Sequence, residues 1–304
     1  MTGGAGFIGS HLVRRLVREG YRVRVLDNLA TGKRENLAGL EDLDFVQGDI
    51  RSRSDVGRAM AGIDAVFHVA ALPSVARSWS DPVATLATNA HGTANVVEAA
   101  LDAGVTSLIY SSSSSVYGDQ EADLKTETLE PSPISPYAYS KLLGEKRALA
   151  HARDSKGMRV VSLRYFNVFG ARQDPDSPYS AVIPIFIRQA LAGGTATIYG
   201  DGLQSRDFTH VDNVVEANVG ALQSEVSGIA MNVACGQSYS LIQLVSAISA
   251  FNGHPLKTAF GPPRVGDVRH SRADISLAAA KIGYRPKVSF EDGLRRTYDE
   301  YRSA

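Results

Sequence analysis

The sequence predicts an α/β protein: a Rossmann-type doubly wound parallel sheet with a smaller α/β substrate-binding lobe. Three observations carry that prediction. Short β-branched runs alternate with helical patterns, a glycine-rich turn opens the chain and runs straight into a helix, and the rhythm breaks after Phe166 into shorter, mixed elements.

In order along the chain, strands are expected at 21–27, 43–49, 64–71, 106–112 and 158–166. Helices are expected between them at about 7–19, 52–61, 82–103 and 137–156. Strands separated by helices pair in parallel, because a crossover helix returns the chain to the same end of the sheet. The Pro/Ser-rich stretch at 174–181 reads as a loop. Beyond it a helix near 182–192, strands near 196–199 and 229–233, and helices near 212–223 and 240–251 form the second lobe.

Composition narrows the function. The 304 residues carry 32 acidic and 32 basic side chains, so no global field favours nucleic acid or an anionic membrane. An anionic small molecule would need local Arg and Lys instead. A single cysteine, Cys235, permits no intramolecular disulfide and fits a reducing compartment. No apolar run approaches the roughly 18 residues of a membrane span, and the first residues lack signal-peptide order. A cytoplasmic protein is expected.

The opening "MTGGAGFIGSHLVRRL" fits two glycine frames. Gly4, Gly6 and Gly9 match G-x-G-x-x-G, while Gly3, Gly6 and Gly9 match a three-spaced variant. Either lets backbone amides approach a pyrophosphate at a helix start. Asp27 closes the following strand pattern, 18 residues beyond Gly9. A carboxylate there accepts hydrogen bonds from an adenosine ribose and repels a 2′-phosphate, favouring NAD over NADP.

In "SPYAYSKLLGEK", Tyr137 and Lys141 are four apart at a helix start and share one face. A phenol titrating near ~10 is a poor base at neutrality. A fixed ammonium beside it lowers that value and makes it a usable one. Tyr139 is two residues from Lys141, which points it elsewhere. "IYSSSSSVYG" (109–118) leaves the carboxyl end of a parallel strand, where open α/β sheets bind ligands. No physical argument selects among its five serines.

With these elements in order, the chain resembles the extended short-chain dehydrogenase/reductase superfamily, and within it the UDP-sugar 4-epimerases acting on UDP-glucose/UDP-galactose and UDP-N-acetylglucosamine. Matching stretches run end to end, among them "TGGAGFIGSHL", "VLDNLATGKREN", "HVAALPSVARSWSDP", "NAHGTANVVEAA", "SPYAYSK", "RYFNVFGARQDP", "IYGDGLQSRDFTHVDN" and "GDVRHSRAD". The resemblance implies an NAD-binding domain at 1–166, to which part of about 206–236 returns, and a mainly UDP-sugar-binding lobe at 167–304.

It also implies the site. Ser113, three residues before Val-Tyr-Gly, becomes the catalytic serine with Tyr137 and Lys141. The cofactor set becomes Gly3, Gly6, Phe7, Ile8, Gly9, Asp27, Asn28, Asp49, Ile50, Ala70, Ala71, Asn89, Ser111, Tyr137, Lys141 and Tyr165. Asn167, Val182, Arg206 and Arg264 are implied to hold the UDP moiety, and Arg77, Ser112, Ser113, Ser114, Tyr199, Asp267 and Ser271 complete the substrate set. Guanidinium groups suit a diphosphate in a protein of zero net charge. The implied reaction is removal of the 4-hydroxyl proton by Tyr137 as hydride leaves C4 for NAD, rotation of the 4-keto sugar, and hydride return to its other face.

Related 4,6-dehydratases carry Asp-Glu where this chain has Ser114 and Ser115, and glucuronate decarboxylases carry Glu at the position of Ser115. Neither activity is expected here. UDP-glucuronate 4-epimerases share a serine run, and Arg77, Arg172, Ser112 or Ser114 could reach a sugar carboxylate, so that activity is the alternative. A non-catalytic role is not expected, since Ser113, Tyr137 and Lys141 are all present. Ser271 stands where strictly hexose-specific members have Tyr, leaving room for an N-acetyl group. Cys235 reads as packing, no His pair reads as a metal site, and no metal is expected. Helices at 82–103 and 137–156 resemble the pair through which family members form homodimers. Members also have about five apolar residues before Thr-Gly-Gly, forming a central first strand. Their absence is expected to be a start-site or numbering artefact, the alternative being that the neighbouring strands close together.

Overall fold

The computed structural model describes residues 1–40, 43–122, 124–152, 157–175, 181–263 and 268–303. Phe7–Arg18 is helix α1, followed by strands β1 (Arg24–Asp27) and β2 (Asp44–Gln47), helix α2 (Arg53–Met60) and strand β3 (Ala65–His68). Short helices α3 (Val75–Ser80) and α4 (Pro82–Leu86) lead through a π turn at Ala87–His91 into α5 (Gly92–Asp102). Strand β4 (Ser107–Ser113), a 3₁₀ turn at Ser114–Tyr117, helix α6 (Pro136–His151) and strand β5 (Arg159–Tyr165) complete the first half.

The register is parallel throughout: β3 pairs with β4, and β4 with β5, while β1 pairs with β2. Thr2 lies between the two groups and bridges Leu26 of β1 and His68 of β3, so β1 and β3 do not close directly on each other. The chain therefore runs outward in one direction through β1 and β2 and in the other through β3, β4 and β5. That reversal creates a crevice at the carboxyl ends of the strands, the usual ligand position in such sheets.

Beyond Tyr165 come β6 (Val168–Phe169), α7 (Val182–Leu191), β7 (Thr195–Tyr199), β8 (Ser205–Arg206), β9 (Thr209–His210), α8 (Val211–Gln223) and β10 (Ile229–Val233). Strand β10 pairs in parallel with β5, so this part of the chain returns to the main sheet. The remainder is β11 (Tyr239–Ser240), α9 (Leu241–Asn252), β12 (Lys257–Gly261), β13 (His270–Ser271), α10 (Ser276–Ile282) and α11 (Phe290–Ser303). Sequence patterning did not single out α3, β12, α10 or α11.

Successive residues of β4 serve opposite layers, as strand alternation requires. Leu108 and Tyr110 pack with Val56, Val96 and Val97 of α2 and α5, whereas Ile109 packs with Leu12, Leu16 and Val214 of α1 and α8. Both faces are covered, which explains why the strands read as apolar runs. A separate core under α7, α9 and α11 gathers Phe186, Ile187, Ile198, Leu244, Ile248, Phe290 and Leu294. The expected helix 82–103 is interrupted: at Asn89 the π turn widens the backbone, and Gly144 of α6 is small enough to let that helix lie against the Asn89 carbonyl. No helix among the described residues is long and apolar enough to cross a membrane.

Candidate active site

The crevice starts at the glycine turn. Gly3 has φ +70°, and a Cβ there would lie 2.6 Å from the Ala70 amide nitrogen beyond β3. A Cβ at Gly9 would fall on the Gly3 carbonyl oxygen, which also accepts the Gly6 amide at 3.2 Å. Gly3, Gly6 and Gly9 thus form one turn, which decides between the two glycine frames; Gly4 instead packs on Val25. Gly6 caps α1 without a side-chain acceptor and its first turn holds no acid, so Phe7, Ile8 and Gly9 offer amides to an anion. This backbone cradle, with no room for side chains, fits a dinucleotide pyrophosphate.

Asp27 ends β1 facing the turn. Its carboxylate accepts the Ala5 amide at 2.9 Å and the Leu29 amide at 2.8 Å, locking both ends of the neighbouring loops. Asn28 donates to Asp49 at 2.9 Å, and Arg51 beside it holds the Asp49 carboxyl down to about 2. Asp27, Asn28, Asp49 and Ile50 therefore lie together along one wall, where an adenosine would be held. Ala70 and Ala71 follow β3 against Gly3, the Ala70 amide donating to Thr2 Oγ1 at 3.3 Å.

Asn89 is tied to two walls of the crevice. Its side-chain oxygen accepts the Leu72 amide at 2.7 Å, and its nitrogen donates to the Leu72 carbonyl and to Ser140 Oγ, both at 3.0 Å. These bonds hold the loop carrying Ala70 and Ala71 to α6, so Asn89 shapes the site through its neighbours. His68, which sequence reasoning passed over, does similar work. Thr93 donates its proton to the Asn89 carbonyl at 2.6 Å, so the His68 Nε2–H must be the donor to Thr93 Oγ1 and Nδ1 the acceptor from Thr2. Burial keeps that imidazole neutral, with its pKa down to about 3.

At the carboxyl end of β4, Ser113 faces the first turn of α6. Ser135 caps this helix through the Ala138 amide and Pro136 pre-sets its start, which places Tyr137 at the strand end. Tyr139 is 50% exposed and points away, as its spacing requires. Burial pushes the Tyr137 phenol above its ordinary value, and the Ser113 hydroxyl is the hydrogen-bonding group that draws it back. One turn on, Lys141 Nζ stands 4.8 Å from the centre of the Tyr110 ring. Its burial brings the ammonium down to about 7, against the opposing pull of Glu145. Glu145 itself is held by Arg164 at 2.6 Å.

The serine run divides by strand parity. Ser111 shares a face with Ser113 and meets the Tyr165 hydroxyl at 3.0 Å, which Asn218 of α8 also engages. This pair is buried behind the crevice. Ser112 points the other way, beside Arg164 in the β4–β5 register, and is only 3% exposed. The strand pleat turns it toward the α6 side of the sheet, the side on which Arg164 meets Glu145. Ser114 and Ser115 begin the 3₁₀ turn beside Ser113, and Ser115 donates to Ser113. The sequence used Ser115 only to set the chain apart from dehydratases and decarboxylases and assigned it no role of its own.

Four residues of the implied substrate set meet. Asn167, Val182, Tyr199 and Arg206 line a cavity of about 390 Å³, together with Phe186, Phe208 and Gln204. Asn167 adopts φ +34°, which turns the chain from β5 into this wall. Ser271 lies next to Arg206 in the β13–β8 register and is 9% exposed. Beside them Asp207, also missed in the sequence, accepts the amides of Cys235, Gly236 and Ala273 and ties three segments together. Arg264 and Asp267 lie outside the described residues. Arg77 is on α3, capped by Ser74. Arg172 lies among the charges of Arg14, Arg18, Asp212 and Glu300. The Cys235 thiol is pushed up to about 12 by burial and is unreactive.

Comparison with known proteins agrees with this geometry. A sequence model described as the NAD dependent epimerase/dehydratase family matches residues 1–234. A UDP-glucose 4-epimerase of Mycolicibacterium smegmatis is 39% identical, covering 100% of this chain and 98% of the relative. The crystal structure of a Thermotoga maritima UDP-glucose 4-epimerase with UDP-glucose has a TM-score of 0.95 at 38% identity, covering 99% and 97% of the two chains. A Methanobrevibacter ruminantium UDP-N-acetylglucosamine 4-epimerase, in complex with UDP-N-acetylmuramic acid, gives 0.94 at 39% identity, covering 99% and 97%. With a match over more than two thirds of its length and relatives alike from end to end, the chain belongs to the NAD dependent epimerase/dehydratase family.

Proposed function

We propose that the protein is an NAD-dependent UDP-sugar 4-epimerase, acting on a neutral hexose or N-acetylhexosamine. The observation that carries this reading is the Ser113–Tyr137–Lys141 group standing beside Ser114 and Ser115, hydroxyls where the dehydratase and decarboxylase relatives place carboxyl groups. Such a site moves a proton at one oxygen, and hydroxyls stand at the turn positions where eliminating water from the sugar needs an acid.

The NAD, held along Gly3–Gly9, Asp27 and the Ala70–Ala71 loop, supplies a hydride acceptor and donor when bound. The protein's own groups manage the proton and the orientation. Tyr137 takes the proton of the C4 hydroxyl, Ser113 donates a hydrogen bond to the same oxygen, and Lys141 provides positive potential one helical turn away. Asn167, Val182, Tyr199 and Arg206 hold the nucleotide while the sugar turns, so that the two faces of C4 are presented in succession. The division of labour follows: 1–166 with the returning β10 binds the cofactor, and the rest mainly binds the nucleotide.

A glucuronate carboxylate needs a partner among Arg77, Arg172, Ser112 and Ser114, whereas a neutral sugar needs none, which favours the neutral sugar. A homodimer is supported by an apolar patch on three helices packed side by side. Trp79, Val83, Tyr139 and Leu143 are 56%, 76%, 50% and 37% exposed on α3, α4 and α6. A cytoplasmic setting accords with the single unpaired thiol.

The test is proton NMR of the anomeric and H4 signals, without added reductant, on UDP-glucose, UDP-N-acetylglucosamine and UDP-glucuronate in turn. A galacto-configured product from either neutral sugar is expected. Conversion of the glucuronate alone would replace the substrate assignment, and no conversion of any would reject the activity.

A further inference from the structure

Ser115 is the neighbour of the site whose contacts the proposed reaction has not used. Its hydroxyl donates to Ser113 Oγ at 2.9 Å, and its backbone amide donates to the same oxygen at 3.2 Å. A serine oxygen has two acceptor positions and one proton. Both acceptor positions of Ser113 are thereby filled, and its own proton is what remains to be given. Ser113 is also the hydroxyl whose hydrogen bonding opposes the rise that burial imposes on the Tyr137 phenol.

We propose that Ser115 is a positioning residue: by filling the oxygen of Ser113 it commits the Ser113 proton to Tyr137 and, during turnover, to the C4 oxygen of the sugar. The proposal rests on the 4-epimerase reading for the second of these roles only. Two physical effects follow. A hydroxyl that already accepts hydrogen bonds is polarised and donates more strongly, by roughly 10–30% per bond. A stronger bond donated to the phenolate favours the charged form and makes Tyr137 a better base.

The alternative is that Ser115 belongs only to the cap of the 3₁₀ turn at 114–117, with Ser113 as the capping residue. The two roles separate cleanly, because the cap uses the amide of Ser115 while the positioning role uses its hydroxyl as well. Ser115→Ala keeps the amide and deletes the hydroxyl. Ser115→Thr restores it. The half-buried setting of Ser115 makes neither change a packing defect.

The experiment uses NAD-loaded protein labelled with ¹³Cζ-tyrosine, the Tyr137 resonance being assigned by its loss in Tyr137→Phe. In Ser115→Ala the Tyr137 titration is expected to move about half a unit or more to higher pH, which corresponds to ~3-fold less phenolate at any pH below it. Ser115→Thr is expected to bring it back. The kcat should fall by roughly 3-fold to 10-fold at neutral pH with KM unchanged, its ascending limb displaced by the same amount. An unmoved Tyr137 titration, or a loss of kcat without that displacement, would overturn the proposal. Because the titration needs no sugar, inactivity toward every sugar would reject the functional reading and leave the NMR result to decide this one.

Discussion

The side-chain nitrogen of Asn89 lies 3.0 Å from Ser140 Oγ, and Ser140 in turn donates to the Tyr137 carbonyl at 2.8 Å. One amide in the π turn thus braces the helical turn that carries Tyr137 and, through Leu72, the loop that meets the glycine turn. Asn89→Ala would leave both backbone groups of Leu72 without their partner in a partly buried place. We expect a loss of about 2–4 kcal/mol in denaturant unfolding together with weaker NAD binding. Unchanged stability would show that water replaces the amide.

Tyr137→Phe keeps the ring and removes the proton acceptor. It is expected to fold, to bind NAD as the parent does, and to lose at least ~10²-fold in kcat. Full activity in that variant would remove Tyr137 from the chemistry.

Lys141 has an unfolded pKa near ~10.4 and a folded one brought down to about 7 by burial. Between those values the unfolded chain binds the extra proton, so this residue makes stability rise with pH across that window. Below about 7 the buried charge is fully present and its cost fully felt. Lys141→Met should therefore abolish turnover yet stabilise the cofactor-free protein at pH ~6 by roughly 1–4 kcal/mol, with the advantage fading toward pH ~10. Thermal unfolding of both proteins across this range checks the sign, and an advantage that grew with pH would contradict it.

Gly9→Ala places a methyl group against the Gly3 carbonyl, a backbone atom that cannot rotate away. The helix and the turn must separate, and we expect at least a 10-fold loss of NAD affinity by fluorescence titration with about 1–3 kcal/mol of destabilisation. Gly57→Ala is the control: nothing lies within 4 Å of its Cβ on α2, so stability should rise by about 0.5–1 kcal/mol.

Ser271 is next to Arg206 in the β13–β8 register. Ser271→Tyr is expected to suppress conversion of UDP-N-acetylglucosamine more than that of UDP-glucose, because the phenol takes the volume an N-acetyl group needs. Equal loss of both in kcat/KM would argue that the position does not gate the sugar.

Local chemistry made much of this molecule legible. Alternating β-branched runs and helical patterns located β1 to β5 with their intervening helices, since a strand buried on both faces must be apolar and its crossover must be a helix. The four-residue spacing of Tyr137 and Lys141, and the glycines at the head of α1, marked the site for the same reason: helix periodicity and steric exclusion act over a few residues. Sequence by itself therefore determined the fold class and the family, and it singled out the Tyr137–Lys141 pair. What it left open depends on which strand face or distant segment a side chain meets. Only the pleat of β4 separates Ser113 from Ser112, only the π turn brings Asn89 to Ser140, and only the folded lobe brings Asp207 to the amides of Cys235, Gly236 and Ala273. The frame of the glycine turn and the donor role of Ser115 belong to that second group, because a hydrogen bond's direction is settled by the partners that tertiary packing supplies.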